Sequence, residues 1–390
     1  MKIAQFVSSF LAPLGGAEQY CLELSRWLRD HGHEVTIVTG WISPELAAGL
    51  EAEGIPVCVV RSRRPYAPDR KGSRPAAALF HALDLLGSVR TSAAVRHALS
   101  GFDLVHVHRV AGFGTGVLAS TAAPVVVTVH DYALVDTSTT LLRRGVEAER
   151  PPLVQRLRTA IVNRTLDRAH LVFPNRRLRD RHVTWGLRIP ADSTVLPHGW
   201  RLGGAAVPGP ARGVAGRVVF LFLGKLLDTK GVGLLLDAWG DGLTGAELWI
   251  AGSGPMEPAV DAAAAAGRVR KLGWLDETAR RTALAAADVL VIPSIWPENF
   301  PLVAAEGVLA GLPILSTTVA APPVVEPEAN GILVAPDAVA IRAGMTRLLD
   351  PTLRSWLAAE ARERAGDLDF DVHGERVLEL YAGAGAGVRA

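Results

Sequence analysis

The chain is 390 residues long, with 49% hydrophobic and 21% charged residues and a formal net charge of +2. That composition excludes an intrinsically disordered chain, a collagen and a disulfide-stapled mini-protein. The length gives a soft prior of about two to three domains, and the near balance of charge gives no sign of a nucleic-acid partner.

From the N-terminus, residues 2–10 (KIAQFVSSF) read as a strand ending at a Gly-rich turn. The single lysine and short apolar run make a poor signal peptide. A helix follows, with Ala17, Tyr20, Cys21, Leu24, Trp27 and Leu28 on an amphipathic stripe. Strands are then expected at 34–40, 55–60, 103–109, 124–131, 170–175 and 193–199. Strands separated by helices predict a largely parallel sheet in a three-layer α/β arrangement. The charge-free stretch from Val110 to Val129 contains Pro124 and several glycines and serines. It reads as loop, helix and short strand rather than a membrane span.

Residues 201–216 hold two prolines and five glycines without apolar periodicity and read as a linker. A second α/β unit starts at 217, with strands at 217–224, 247–252, 269–273, 288–294 and 313–317. Its helices are expected at 231–240, 255–266, 277–286, 302–310 and 339–348. The expected organisation is one Rossmann-like domain over 1–200, the linker over 201–216 and a second Rossmann-like domain over 217–365. A C-terminal segment over 366–390 carries a helix with Val377, Leu380 and Tyr381 on one side, a candidate to pack back on the first domain. Cys21 and Cys58 read as reduced core thiols of a cytoplasmic protein.

Two open sheets joined by a linker predict a cleft, with ligands outside the carboxyl ends of the strands. Gly15 and Gly16 lie there, where backbone without side chains can approach a ligand at a helix start. Gly224-Lys225 and Lys230-Gly231 place two cations five positions apart, suited to straddling a diphosphate and neutralising a departing phosphate oxygen. The chain has only five lysines, two of them in this loop. Glu298 lies in a loop and Glu306, with seven residues between them, on an apolar helix where it suits vicinal ribose hydroxyls. His130-Asp131 ends an apolar strand, and its imidazole suits a hydrogen bond to a sugar hydroxyl, a leaving group or an acceptor. Trp296 is a candidate to stack on a ring, and Trp274 to line a base pocket. His106 and His108 share one strand face but lack an obvious third metal ligand, so no metal site is expected. Arginine runs at 61–74 and 143–158 read first as solvated surface, with an anionic acceptor or membrane headgroups as the alternative.

These residues resemble one family. The chain is similar to retaining, GT-B-fold glycosyltransferases of the GT4 group (glycosyltransferase group 1). The resemblance rests on GGAE at 15–18, HD at 130–131, GK at 224–225, KG at 230–231, AGSGP at 251–255 and PSIWPENFPLVAAEGVLAGLPIL at 293–315. It implies two Rossmann-like domains facing each other across a cleft. It also implies transfer of a hexose or N-acetylhexosamine from a nucleotide diphosphate sugar, a UDP-sugar before a GDP-sugar, to a hydroxyl of a small-molecule or glycan acceptor. By that resemblance Gly15 and Gly16 approach the diphosphate or acceptor, and His130 sits beside the donor sugar near its 6-hydroxyl. Gly224 with Lys225 (where the family more often has arginine) and Lys230 touch the diphosphate. Glu298 binds the sugar 3-hydroxyl, Asn299, Phe300, Pro301 and Leu302 form the sugar loop, and Glu306 binds ribose. The catalytic set implied is His130, Lys225, Lys230 and Glu298. Neither metal nor cofactor is required by the resemblance, because lysine and helix dipole take the metal's place. The family often has Gly-Gly after the strand at 313–317, where this chain has Ala320-Ala321-Pro322-Pro323.

The mechanism expected is same-face attack, with the leaving phosphate accepting the acceptor's proton. A nucleotide-sugar epimerase or hydrolase on the same fold, and a non-catalytic nucleotide-sugar-binding module, are the competing readings. The Ala/Gly/Arg-rich, lysine-poor composition suggests a high-GC bacterial source and a natural-product or small sugar acceptor. Oligomeric state is not legible, and attachment to a membrane surface stays open.

Overall fold

A computed structural model describes residues 1–12, 14–62, 64–68, 72–143, 146–148, 150–201 and 216–387. The linker expected over 201–216 falls, from 202 to 215, outside the described residues, as do Arg63, Arg70, Lys71 and Arg144 of the arginine runs. The chain divides into two compact units. Unit 1 runs from Met1 to His198 and resumes at Asp371, and unit 2 runs from Gly199 to Phe370.

Unit 1 is built on β1 (Lys2–Phe10), β2 (Glu34–Ile42), β3 (Val57–Val59), β4 (Leu104–Arg109), β5 (Val125–Thr128), β8 (Ala169–Phe173) and β9 (Thr194–Val195). They form a parallel sheet of order β3-β2-β1-β4-β5-β8-β9. A short antiparallel pair, β6 (Leu142–Arg143) and β7 (Val146–Glu147), stands apart. Past Lys2 every residue of β1 is buried, as a central strand covered on both faces must be. The covering helices are α1 (Gly16–Asp30), α2 (Pro44–Ala52), α3 (Arg74–Val89), α4 (Ala93–Ala98), α5 (Leu153–Leu166) and α6 (Arg176–Thr184). On α1 the buried stripe contains Tyr20, Cys21, Leu24, Trp27 and Leu28 as expected, and Glu18 as well. The stretch 110–129 folds as a short 3-10 helix (Thr115–Ala119) before β5.

Unit 2 carries β10 (Val218–Leu223), α7 (Val232–Trp239), β11 (Ala246–Ala251), α8 (Glu257–Ala265), β12 (Arg270–Gly273), α9 (Glu277–Ala286) and β13 (Val289–Ile292). It continues with α10 (Leu302–Leu309), β14 (Ile314–Thr317), β15 (Gly331–Val334), α11 (Ala338–Arg347) and α12 (Pro351–Arg364). The parallel order is β12-β11-β10-β13-β14-β15. Its two apolar faces are packed separately, one around Phe220, Leu235 and Ile250 and the other around Leu221, Trp249 and Leu290.

The last helix, α13 (Phe370–Gly387), belongs to unit 1 from Asp371 onward. It is tied to α1 there: Trp27 Nε1 donates to Asp371 at 2.6 Å, and the indole lies flat against Gly374. Cys21 is buried and Cys58 half-buried, so only the first is a core thiol, and both are free. Among the described residues no helix is long and apolar enough to cross a membrane.

Candidate active site

Both sheets reverse strand order once, between β1 and β4 in unit 1 and between β10 and β13 in unit 2. Helices on either side of such a point leave a crevice outside the strand ends, where ligands of α/β folds sit. The sequence places its polar motifs at these ends.

In unit 2, three loops at the carboxyl edge are stitched together by their own backbones. Gly224 N–H donates to Ala251 at 3.1 Å, Leu226 N–H to Ser253 at 2.9 Å, and Met256 N–H to Leu226 at 2.9 Å. Ile295 N–H donates to Thr229 at 3.0 Å, joining the 293–301 loop to the lysine turn. Two glycines make this closeness feasible. Gly231 (φ +71°) lies against the Pro293 carbonyl and Gly252 (φ +136°) against the Gly224 carbonyl, where a Cβ would collide.

On that frame the side chains converge. Lys230 Nζ donates to Glu298 Oε1 at 2.6 Å, and Ser294 Oγ donates to the same oxygen at 2.6 Å. The ammonium also stands 5.7 Å from the Trp296 ring. Glu298 is buried and Lys230 half-buried, so the pair is partly shielded from solvent screening.

Glu306 is 2% exposed on α10. Its Oε1 accepts from Trp200 Nε1 at 3.3 Å and lies 3.3 Å from Arg280 on α9. Burial pushes its carboxyl above the usual range, against the pull of Arg280 and the Trp200 hydrogen bond. Asn299 is buried and Phe300 half-buried in the loop that ends at Pro301, the N-cap of α10, with Leu302 as first helical residue. Lys225 is exposed and makes no ion pair among the described residues. Trp274 stands 68% exposed, so in this structure it lines no enclosed base pocket.

In unit 1, Gly15 is the N-cap of α1 and Gly16 its first residue. The Glu18 carboxylate folds back over the spot a Gly15 Cβ would take, and Arg109, at the end of β4, donates to Glu18 Oε1. Asp131 caps the next turn by accepting from Ala133 N–H at 2.8 Å. His130 joins His108, Nε2 to Nδ1, at 3.1 Å. Burial, then Arg109, push its imidazole down to about 3. Among the described residues no group of three or more His, Cys, Asp or Glu side chains is arranged to hold a metal ion.

The second arginine run has an address. Arg150, Arg156 and Arg188 line an open groove of about 700 Å³ beside α5 and the end of α6. The first two turns of α5 expose Leu153, Val154 and Leu157 to 68%, 73% and 61%. Arg280, Trp200 and Ser294 are the site residues the sequence did not single out as partners. Ser294 carried a sequence signal, as the end of the strand feeding the motif loop.

After Thr317 the Ala-Ala-Pro-Pro run forms a turn: Ala320 N–H donates to Thr317 Oγ1 at 3.1 Å and Ala321 N–H to the Thr317 carbonyl at 2.9 Å. Ala321 takes φ +32°, the left-handed side that favours glycine.

The known proteins most informative for this arrangement agree with one another. The family model described as "Glycosyltransferase Family 4" matches residues 14–202, and that described as "Glycosyl transferases group 1" matches 217–351. The chain is 26% identical to phosphatidyl-myo-inositol mannosyltransferase of Mycolicibacterium smegmatis, over 98% of this chain and 93% of that protein. It is 29% identical to D-inositol 3-phosphate glycosyltransferase of Xylanimonas cellulosilytica, over 95% and 92%. Among solved structures, Anabaena HepE in complex with UDP superposes with a TM-score of 0.72 at 18% identity, covering 98% of this chain and all of that one. Sucrose-phosphate synthase from Thermosynechococcus elongatus superposes at 0.70 with 20% identity, covering 99% of each.

Proposed function

Because the chain belongs to the GT4 family of group 1 glycosyltransferases and has their GT-B fold, we propose that it transfers a hexose or N-acetylhexosamine with retention from a nucleotide diphosphate sugar. Unit 2 holds the donor. Lys230, oriented by Glu298 and Ser294, meets the diphosphate, with the exposed Lys225 as its companion on the loop. Glu306, held by Arg280 and Trp200, receives the ribose hydroxyls, and the loop from Asn299 to Leu302 receives the sugar. The single observation that carries this reading is the partly buried Lys230–Glu298–Ser294 contact, built on loops locked together at the switch point.

Retention is supported by how the carboxylates are used. Glu298 is engaged by Lys230 and Ser294, and Glu306 by Arg280 and Trp200. Neither is a loose nucleophile of the kind that retaining hydrolases place under the anomeric carbon. The acceptor hydroxyl then attacks on the leaving-group face and passes its proton to the departing phosphate.

A UDP-sugar is favoured as donor, since HepE was solved with UDP and with UDP-glucose. The acceptor is a small molecule or glycan. Relatives named for phosphatidyl-myo-inositol and inositol 3-phosphate support an anionic polyol, which the groove of Arg150, Arg156 and Arg188 suits in charge. The exposed Leu153, Val154 and Leu157 beside those arginines support contact with an anionic bilayer surface. Two free cysteines support a reducing, cytoplasmic setting.

The test is a panel of UDP- and GDP-sugars, with and without polyol acceptors, analysed by mass spectrometry. Acceptor-dependent turnover of a UDP-sugar, with the donor's anomeric configuration kept, is the expected result. Lys230→Ala and Glu306→Ala should each lose about 10²–10³-fold in kcat. Acceptor-independent turnover would point instead to an epimerase or hydrolase.

A further inference from the structure

Unit 1 buries a chain of polar side chains that the donor site above does not use. Gln5, in the middle of β1, is fully buried, and so are its neighbours His106 and His108 on β4 and Tyr381 on α13. A buried amide has to satisfy both ends, and its ends are not interchangeable: oxygen only accepts, nitrogen only donates. Gln5 Oε1 accepts from His108 Nε2 at 2.7 Å, and Gln5 Nε2 donates to the Tyr381 hydroxyl at 3.4 Å. That amide therefore gives the whole chain a direction.

On one side, a neutral His108 with its proton on Nε2 has only a lone pair on Nδ1. The atom facing it, 3.1 Å away, is His130 Nε2, which must donate. On the other side, the Tyr381 hydroxyl donates to His106 Nδ1 at 2.7 Å, leaving His106 Nε2–H to donate to Thr128 Oγ1 at 2.8 Å. Nearby, the Tyr20 hydroxyl lies 2.7 Å from His373 Nε2. Each link has one donor and one acceptor, with one proton per ring. Neutral rings are what this setting enforces: burial drives His106 and His130 down to about 3 and His108 well below its ordinary value. A bulge between β1 and β4, where Phe6 faces Val107 and Val7 faces Arg109, leaves His108 as the extra residue and lets its ring turn onto Gln5.

We propose that Gln5 and His108 are positioning residues that hold His130 as the Nε2-protonated tautomer, so that its Nδ1 accepts a hydrogen bond from a hydroxyl of the bound substrate. The use made of Nδ1 rests on the reading of this chain as a sugar transferase, whereas the tautomer rests on the buried network alone. His130 lies two residues past β5 and lines a small cavity at the strand ends, next to Arg109 and Asp131.

Two measurements on the full-length chain test it. The first is two-bond ¹H–¹⁵N correlation on histidine-labelled protein at neutral pH, with His130→Asn identifying the His130 signals. His130 should carry its proton on Nε2, and Gln5→Met should turn it into a mixture of tautomers. His108→Phe, of similar shape, should do the same if Gln5→Met fails to fold. A wild-type His130 protonated on Nδ1, or on both nitrogens, overturns the proposal. The second is a double-mutant cycle on kcat/KM. Gln5→Met should cost about tenfold with His130 present and nothing further in the His130→Asn background, because an amide has no tautomer to lose. Equal losses in both backgrounds would make Gln5 merely structural and overturn the proposal. The Nε2-protonated signal in a protein that turns over no nucleotide sugar would instead uphold the tautomer and remove the transferase reading.

Discussion

At the scale of single residues, the candidate site is a matter of which charges are buried and what meets them. Glu306 is the sharpest case. Its folded-state pKa is raised, so the native state holds a proton more readily than the unfolded chain does just above pH 4.5. That group's contribution to stability therefore falls as pH rises from about 4.5. Glu306→Gln is expected to melt no lower than the parent at pH 7 while its KM for the nucleotide sugar rises at least tenfold. Paired thermal and kinetic measurements check this, and a lower melting point with unchanged KM would contradict it. Ala321 offers a separate test, since its φ of +32° is strained for any residue with a Cβ. Ala321→Gly should gain about 0.5–1 kcal/mol in urea unfolding. The residue types of the site were legible: scarce lysines gathered in one loop, and two glutamates with seven residues between them. Their partners were not. Arg280 stands on another helix and Trp200 lies 106 residues upstream of Glu306, and no local spacing announces either.

Elements were legible where a pattern had room to repeat. The five unit 2 helices expected from periodicity match α7 to α11 to within two residues at either end, and the long strands match as well. Short or evenly polar pieces were harder: β9 keeps only Thr194 and Val195 of its expected run, and α3 begins inside an arginine-rich stretch. The docking of α13 on α1 depends on a missing side chain. Gly374 lies so close to the Trp27 indole that an added methyl would have to displace a buried ring. Gly374→Ala is therefore expected to cost about 1–3 kcal/mol, read by urea unfolding. On α5, replacing Leu153, Val154 and Leu157 together by serine should weaken binding to vesicles of anionic lipid about tenfold or more, since three exposed apolar anchors are lost. Co-sedimentation at low and high salt measures that change and the arginine share of it.

For the molecule as a whole, two parallel sheets were legible because strand, turn and helix alternate along the sequence, but the gathering of the buried histidines was not. His106, His108, His130, His198 and His373 come from strand, loop and terminal helix, and only folding brings their rings together in unit 1. All five have folded-state values depressed below the ordinary 6.5, burial being the main cause. Unfolding therefore takes up protons below that value. Their stabilising contribution is present above pH 6.5 and lost as pH falls, by up to about 1.4 kcal/mol per pH unit for each ring. Unit 1 should accordingly unfold cooperatively between about pH 6 and pH 4, followed by circular dichroism. The central claim concerns unit 2: a phosphorylated nucleotide donor is held by Lys230 with its Glu298 support and by Glu306. The most direct measurement is calorimetric titration of UDP into the full-length protein, its Lys230→Ala variant and its Glu306→Ala variant. The account predicts saturable binding to the parent and at least tenfold weaker binding to each variant. Binding of parental strength in both variants would contradict it.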